Sequence, residues 1–135
     1  MAARHLTLGR EGEEAAARHL KKAGYKILER NWRAGPHELD IICRDKDKTL
    51  VFVEVKTRGP GPMAPPGQSV TREKQNRLVR AAGEYLSASD QWENPCRFDV
   101  VGVLATEHGL EVEHIKDAFQ CSVSPGGGNA AWQPW

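Results

Sequence analysis

Apolar residues at the amino end recur at helical spacing: Leu8, Ala15, Ala16, His19 and Leu20 lie close to one stripe, as an amphipathic helix requires. Lys21 and Lys22 follow where cations favour the helix dipole, and Gly24 is the residue type that most readily ends a helix. Residues 25–32 (YKILERNW) fit a short strand, and Gly35-Pro36 then breaks the chain. Two runs, 38–44 and 50–57, read as the arms of a hairpin around the polar segment 45–49. The second arm alternates, with Val51, Val53 and Val55 on one side and Phe52, Glu54 and Lys56 on the other.

The stretch 59–67 (GPGPMAPPG) excludes helix and regular strand and predicts an exposed loop beside the hairpin. Ser69 or Thr71 is placed to cap a helix running to about residue 88, whose stripe is Val70, Leu78, Val79, Ala81, Ala82, Tyr85 and Leu86. Residues 98–105 are short and apolar enough for a buried strand, and 110–115 alternate as a further strand would. From Ser124 onward the chain is Gly-rich and ends Trp-Gln-Pro-Trp, so a domain over 1–123 with a disordered tail over 124–135 is expected. No internal repeat is visible. The order is helix, three strands, helix, then one or two strands: an α/β domain with a central mixed sheet and two helices packed against it.

A length of 135 residues suits one domain with a real core. Charges balance to a net +1, which argues against a polybasic binder and leaves room for a local basic groove. The three cysteines, Cys43, Cys96 and Cys121, form no C-x-x-C pair, so a zinc knuckle or dithiol redox centre is not expected and free thiols in a reducing compartment are. Residues 1–10 lack the apolar core of a signal peptide, and no stretch approaches the roughly 18 apolar residues of a membrane span. A soluble, cytoplasmic protein without a membrane partner is the expectation.

The chemistry concentrates in the hairpin. If it turns about Asp47, Arg44 faces Leu50, Ile42 faces Phe52, Asp40 faces Glu54 and Glu38 faces Lys56. Opposed residues of an antiparallel pair project to one face with Cβ atoms about 4.5–5.5 Å apart, so Asp40 and Glu54 meet, with Lys56 one step along. Two such carboxylates repel unless a cation, a shared proton or a basic partner compensates. Mg²⁺ (or Mn²⁺) is a natural answer, because Mg²⁺ takes one or two carboxylates and keeps water and substrate phosphate in its other positions. The Lys56 ammonium could orient a water or bind the charge that develops on phosphate. The same three residues on a solvated sheet face would form only a surface salt bridge.

Glu38-Leu39-Asp40-Ile41-Ile42, followed by Val51-Phe52-Val53-Glu54-Val55-Lys56-Thr57-Arg58, resembles the PD-(D/E)XK nuclease motif. More closely, the chain resembles the YraN-like bacterial family, similar in fold to archaeal Holliday junction resolvases. Further matching landmarks are Gly9-x-x-Gly12-Glu13 with Ala16, Arg30-Asn31, Lys74-Gln75 and Arg97-Phe98-Asp99-Val100, covering about residues 9–115. His37 departs from the pattern, standing where the family usually has Gly, and could add a phosphate contact. The resemblance implies a restriction-endonuclease-like fold and metal-dependent cleavage of DNA or RNA, with branched DNA one candidate substrate. It implies Asp40 and Glu54 as metal ligands, Glu13 completing the metal site, Lys56 as electrostatic catalyst, and Lys74 or, by preference, Gln75 as a polar helix residue facing the site. Glu38 would stand behind the ligands or partner Lys56.

Arg58, Arg72, Lys74, Arg77 and Arg80 form a basic segment able to contact phosphates, or simply a solvated helix face. Trp32, Trp132 and Trp135 could stack on bases, with core packing the alternative for Trp32. The five histidines have no metal-ligand spacing, and none is assigned a role. The leading expectation is therefore a magnesium-dependent endonuclease-like hydrolase acting on DNA; a homodimer is compatible by analogy, since nucleases of branched substrates tend to be two-fold symmetric. The alternatives are a non-catalytic nucleic-acid-binding module on a nuclease scaffold and a protein-interaction domain.

Overall fold

The computed structural model describes residues 2–59 and 70–119, with side chains from residue 9 onward. The elements are α1 (Ala2–Lys22), β1 (Lys26–Ala34), β2 (His37–Arg44), β3 (Leu50–Arg58), α2 (Arg72–Ser89), β4 (Cys96–Thr106) and β5 (Gly109–Phe119). The Pro/Gly-rich stretch expected to form a loop falls largely at 60–69, outside the described residues. So do the tail at 124–135, Cys121, Trp132 and Trp135.

The five strands form one sheet in sequence order. The hairpins β1/β2, β2/β3 and β4/β5 are antiparallel, while β3 and β4 run parallel with α2 between them in sequence. A parallel pair cannot be joined by a tight turn, which is why a helix intervenes at this one step. The mixed sheet and the element order are those expected, with both late strands present and each longer than its apolar run.

The helices bury their stripes in two separate clusters. On α2, Leu78, Val79, Ala82, Tyr85 and Leu86 pack with Ile42, Leu50, Phe52, Phe98 and Val100. On α1, Ala16 and Leu20 pack with Ile41, Cys43, Val51, Val53, Val101 and Val103. The period-two alternation of β3 divides it between them, and this places the helices on opposite faces. Gly24, at φ +98°, turns the chain out of α1 in a conformation that glycine adopts without strain. Trp32 meets Tyr85 edge-on, ring centroids 5.3 Å apart, so core packing describes it better than base stacking. Cys43 and Cys96 are free thiols, and burial pushes the Cys43 thiol up to about 12.

One close approach fixes how α1 sits on the sheet. A Cβ built on Gly12 would lie 2.0 Å from Thr57 Oγ1 and 2.9 Å from Thr57 Cβ. Gly12→Ala should therefore destabilise the protein by about 1–3 kcal/mol from overpacking, even though alanine is the better helix former by about 1 kcal/mol. Urea unfolding reads this directly; an unchanged or raised midpoint would mean that α1 is not pinned at Gly12.

Candidate active site

The hairpin has the register the sequence predicts, with Arg44 opposite Leu50, Cys43 opposite Val51, Ile42 opposite Phe52 and Ile41 opposite Val53. Backbone pairing between β2 and β3 stops there, one residue before Asp40. Instead of continuing the ladder, the Asp40 carboxylate accepts a hydrogen bond from the Val55 amide, Val55 N to Oδ2 2.8 Å. A side chain thus replaces a backbone acceptor, and Asp40 is held against β3 by a contact that depends on its being an acceptor.

Beside it, Glu54 is only 6 % exposed. Two ammonium groups meet its Oε2: Lys56 Nζ at 3.5 Å, from two residues along the same strand, and Lys74 Nζ, reaching over from α2 in close contact. Asp40 is pushed up to about 7, first by burial and then by the like charge of Glu54. The Val55 amide opposes that rise, while a hydrogen bond between the two carboxyl groups and the charge of Glu13 add to it. Lys56 lies below the ordinary lysine range, because burial and the adjoining Lys74 outweigh the attraction of Glu54. For Lys74 burial also opposes the charge, but contact with Glu54 and Lys56 wins and holds it above that range. Of the two ammoniums, Lys74 carries the firmer positive charge.

The start of α2 places Lys74. Thr71 caps the helix, its Oγ1 accepting from the Lys74 amide at 3.2 Å. The neighbouring Gln75, expected to face the site, instead donates from Nε2 to the Val70 carbonyl at 3.1 Å and secures the helix entry. Lys74 is the helix residue that touches the acids. A cleft of about 270 Å³ opens at this point, lined by Pro36, His37, Asp40, Glu54, Lys74 and Arg77 among others. Among the described residues, the buried His37 Nδ1 has no hydrogen-bond partner.

Other expectations separate. Glu38 pairs with Arg33 across the β1/β2 hairpin at 3.1 Å and does not partner Lys56. Glu13 is near enough for its charge to raise Asp40, but among the described residues no three His, Cys, Asp or Glu side chains converge where they could hold one metal ion. The reason is packing: Gly12 presses α1 on Thr57, whereas Glu54 and Lys56 turn toward α2. Arg77 lines the cleft with an exposed side chain, Arg72 and Arg80 are exposed along the same helix, and Arg58 is half-buried at the end of β3.

A second polar cluster escaped the sequence reading. Asp99, 1 % exposed, accepts from Arg97 Nε at 3.0 Å and from the Asp117 amide at 2.9 Å, and its Oδ2 lies 2.7 Å from His114 Nε2. Arg97 also donates to Asp45 at 2.7 Å and to the Tyr25 hydroxyl at 2.6 Å. The network joins the chain after α1, the β2/β3 turn, β4 and β5. Its signal was a lone acid inside an apolar run with an arginine two residues before it on the same strand face. The partners, His114 and Tyr25, carried no such mark.

The chain is thus an α/β protein whose sheet carries a pair of carboxylates, Glu54 buried and Asp40 half-buried, flanked by two lysines. Residues 12–103 match the Uncharacterised protein family UPF0102, and the chain belongs to that family. It is 48 % identical over 133 residues to the UPF0102 protein of Nitratidesulfovibrio vulgaris strain DP4, covering 98 % of each. It is 38 % identical over 191 residues to that of Oleidesulfovibrio alaskensis, covering 97 % of this chain and 94 % of the relative. Among solved structures, SfsA of Pyrococcus furiosus in complex with Ca²⁺ overlaps 83 % of this chain and 63 % of its own, at 16 % identity and a TM-score of 0.39. That overlap is partial and concerns the backbone alone. Among the described residues no helix is long and apolar enough to cross a membrane.

Proposed function

We propose that the protein is a metal-dependent nuclease that hydrolyses phosphodiesters of DNA, branched DNA among them. The observation that carries this reading is the held pair Asp40 and Glu54, with Asp40 raised to about 7 by burial and by its neighbour. Burying two acids side by side is unfavourable to the fold, and such pairs concentrate where chemistry uses them. The donor set is of the kind a hard divalent cation takes, and Asp40 and Glu54 would be the residues that hold Mg²⁺ or Mn²⁺. When bound, such an ion lowers the pKa of its water and polarises a phosphoryl oxygen.

The chain's own residues supply the rest. Asp40 is oriented by the Val55 amide, which donates to its Oδ2, and its side chain lines the cleft. Lys56 stands on the same strand face as Glu54 and can bind the negative charge that grows on the phosphate during hydrolysis. Arg77 at the cleft and the exposed Arg72 on the same helix would contact flanking phosphates and set the position of the strand without reading its sequence. His37 lines the same cleft.

One observation favours the second reading, a binding module without catalysis: Lys74 already neutralises Glu54, so the pair has an internal counter-charge. The two readings part in one assay. With Mg²⁺ or Mn²⁺ titrated over linear, single-stranded and branched DNA, the nuclease reading expects cleavage that Asp40→Asn and Lys56→Ala each reduce at least about a hundredfold, a typical loss for a group that stabilises transition-state charge. Salt-sensitive binding with no cleavage by the wild-type protein would establish the module instead.

A further inference from the structure

Lys56 and Lys74 meet the same oxygen of Glu54 but are not equally bound to stay there. Lys56 is tied to the face of β3 two residues from Glu54, in a strand paired with β4 on its far side. Lys74 comes from a different element, at the first turn of α2, and its side chain is 32 % exposed at the wall of the cleft. A four-carbon stem with three rotatable donors can swing while its helix stays capped. A divalent ion sharing the Glu54 carboxylate would lie within a few ångströms of the Lys74 ammonium, and the two charges would repel. Arg77, one turn further along α2, lines the same cleft and marks the direction in which a displaced ammonium would find phosphate.

We propose that Lys74 is an exchangeable counter-ion: it occupies Glu54 while the site lacks a divalent cation and passes to a nucleic-acid phosphate when one binds, so that cation and nucleic acid bind cooperatively. This rests on the metal-dependent reading above and adds a regulation of that site. A buried carboxylate 6 % exposed needs a positive partner in every state, and the exchange provides one before and after the ion arrives. Because binding free energies are linked, whatever the cation does for nucleic-acid affinity, nucleic acid must do equally for cation affinity. Lys74 is here a positioning residue whose placement depends on the charge at Glu54.

The test uses the full chain and a readout that needs no turnover. Mn²⁺ binding is measured by calorimetry for the wild-type protein and for Lys74→Met, Lys74→Gln, Lys74→Arg and Asp40→Asn. Removing the competing ammonium should tighten Mn²⁺ about tenfold in the Met and Gln variants, the factor expected when one charge-assisted contact no longer has to be broken. The Arg variant, which keeps the charge, should stay near wild type. In parallel, a fluorescein-labelled DNA duplex is titrated with and without Ca²⁺. Lys74→Met should bind it like wild type without Ca²⁺ and several-fold more weakly with it. Mn²⁺ affinity that depends on Asp40 but is unchanged or weaker in Lys74→Met would overturn the exchange and leave the metal site standing. Absence of Mn²⁺ binding to wild type and variants alike would overturn both.

Discussion

Asp40→Asn is expected to stabilise the cation-free protein at about pH 8 by roughly 1–2 kcal/mol, although it removes a residue central to the proposed chemistry. The Asp40 acid is held at about 7 in the folded protein, above its ordinary value near 3.8. A carboxyl group raised in this way favours the fold while it is protonated, below its unfolded value, and that contribution is lost as the pH rises through the folded value. Above pH 7 the half-buried Asp40 is therefore charged beside Glu54. Asparagine keeps the acceptor for the Val55 amide and adds a donor toward Glu54, turning a repulsion into a hydrogen bond. The whole shift would correspond to more than the figure given, but it is shared across a partly solvated pair and is discounted accordingly.

Urea unfolding of wild type and Asp40→Asn across pH 4–8 checks the sign. The gain should grow between about pH 4 and 7, where the unfolded state has lost the Asp40 proton and the folded state still holds it, and level off above; it should vanish only below about pH 3, where both states are protonated. Added Mn²⁺ should reverse the order, because a ligand that binds only the folded wild-type site stabilises it by mass action. A variant that is less stable at every pH would mean that Asp40 serves the fold, and the reading of a strained functional pair would not survive.

Asp99→Ala should have the largest effect of the opposite sign, a loss of about 3–5 kcal/mol. Asp99 takes hydrogen bonds from Arg97 and the Asp117 amide and lies against His114, and its removal leaves the half-buried Arg97 guanidinium with Asp45 as its remaining carboxylate partner. Burial alone would raise this acid, but His114, Arg97 and the Asp117 amide together hold it below the usual carboxylate range, and Arg97 is correspondingly raised. For a lowered carboxylate the stabilisation is present above its unfolded value and lost as the pH falls through the folded one, so the wild-type protein should weaken below about pH 4 and the variant should lack that share of the acid slope. Against a typical total of 5–15 kcal/mol such a loss leaves a marginal fold, so Arg97→Met provides a second variant: it leaves Asp99 with His114 and the backbone and should lose less. Equal stability of Asp99→Ala and wild type by urea unfolding at pH 7 would show that the network is not holding the sheet together.

The fold was legible where its determinants are local. The helical stripes, the Thr71 cap, Gly24 and the alternation along β3 each follow from a few neighbouring residues, and each appears in the structure. The hairpin register was legible for the same reason. Its turn is short, and a slip by one residue would send Phe52 and Ile42 to the wrong face. That register brings Asp40, Glu54 and Lys56 to one face of the hairpin. Expectations that reach across elements fare unevenly: Lys74 rather than Gln75 meets Glu54, Glu38 pairs with Arg33, and Glu13 lies near enough for its charge to raise Asp40. Which of two adjacent helix residues faces a site depends on the rotation of α2 about its axis, and that is set by how Leu78, Val79 and Leu86 seat on a sheet built mostly from distant residues.

By itself, then, the sequence determined the elements, their order and the meeting of two acids and a lysine, because these depend on spacing along a strand and on a single turn. Tertiary structure alone decided that Lys74 sits on Glu54, that α1 approaches from the opposite face, and that Arg97, Asp99 and His114 share one buried network. Those contacts join residues up to 72 positions apart, as Tyr25 and Arg97 are. No periodicity encodes them. They arise only when packing has chosen one rotation and one depth for each helix on the sheet.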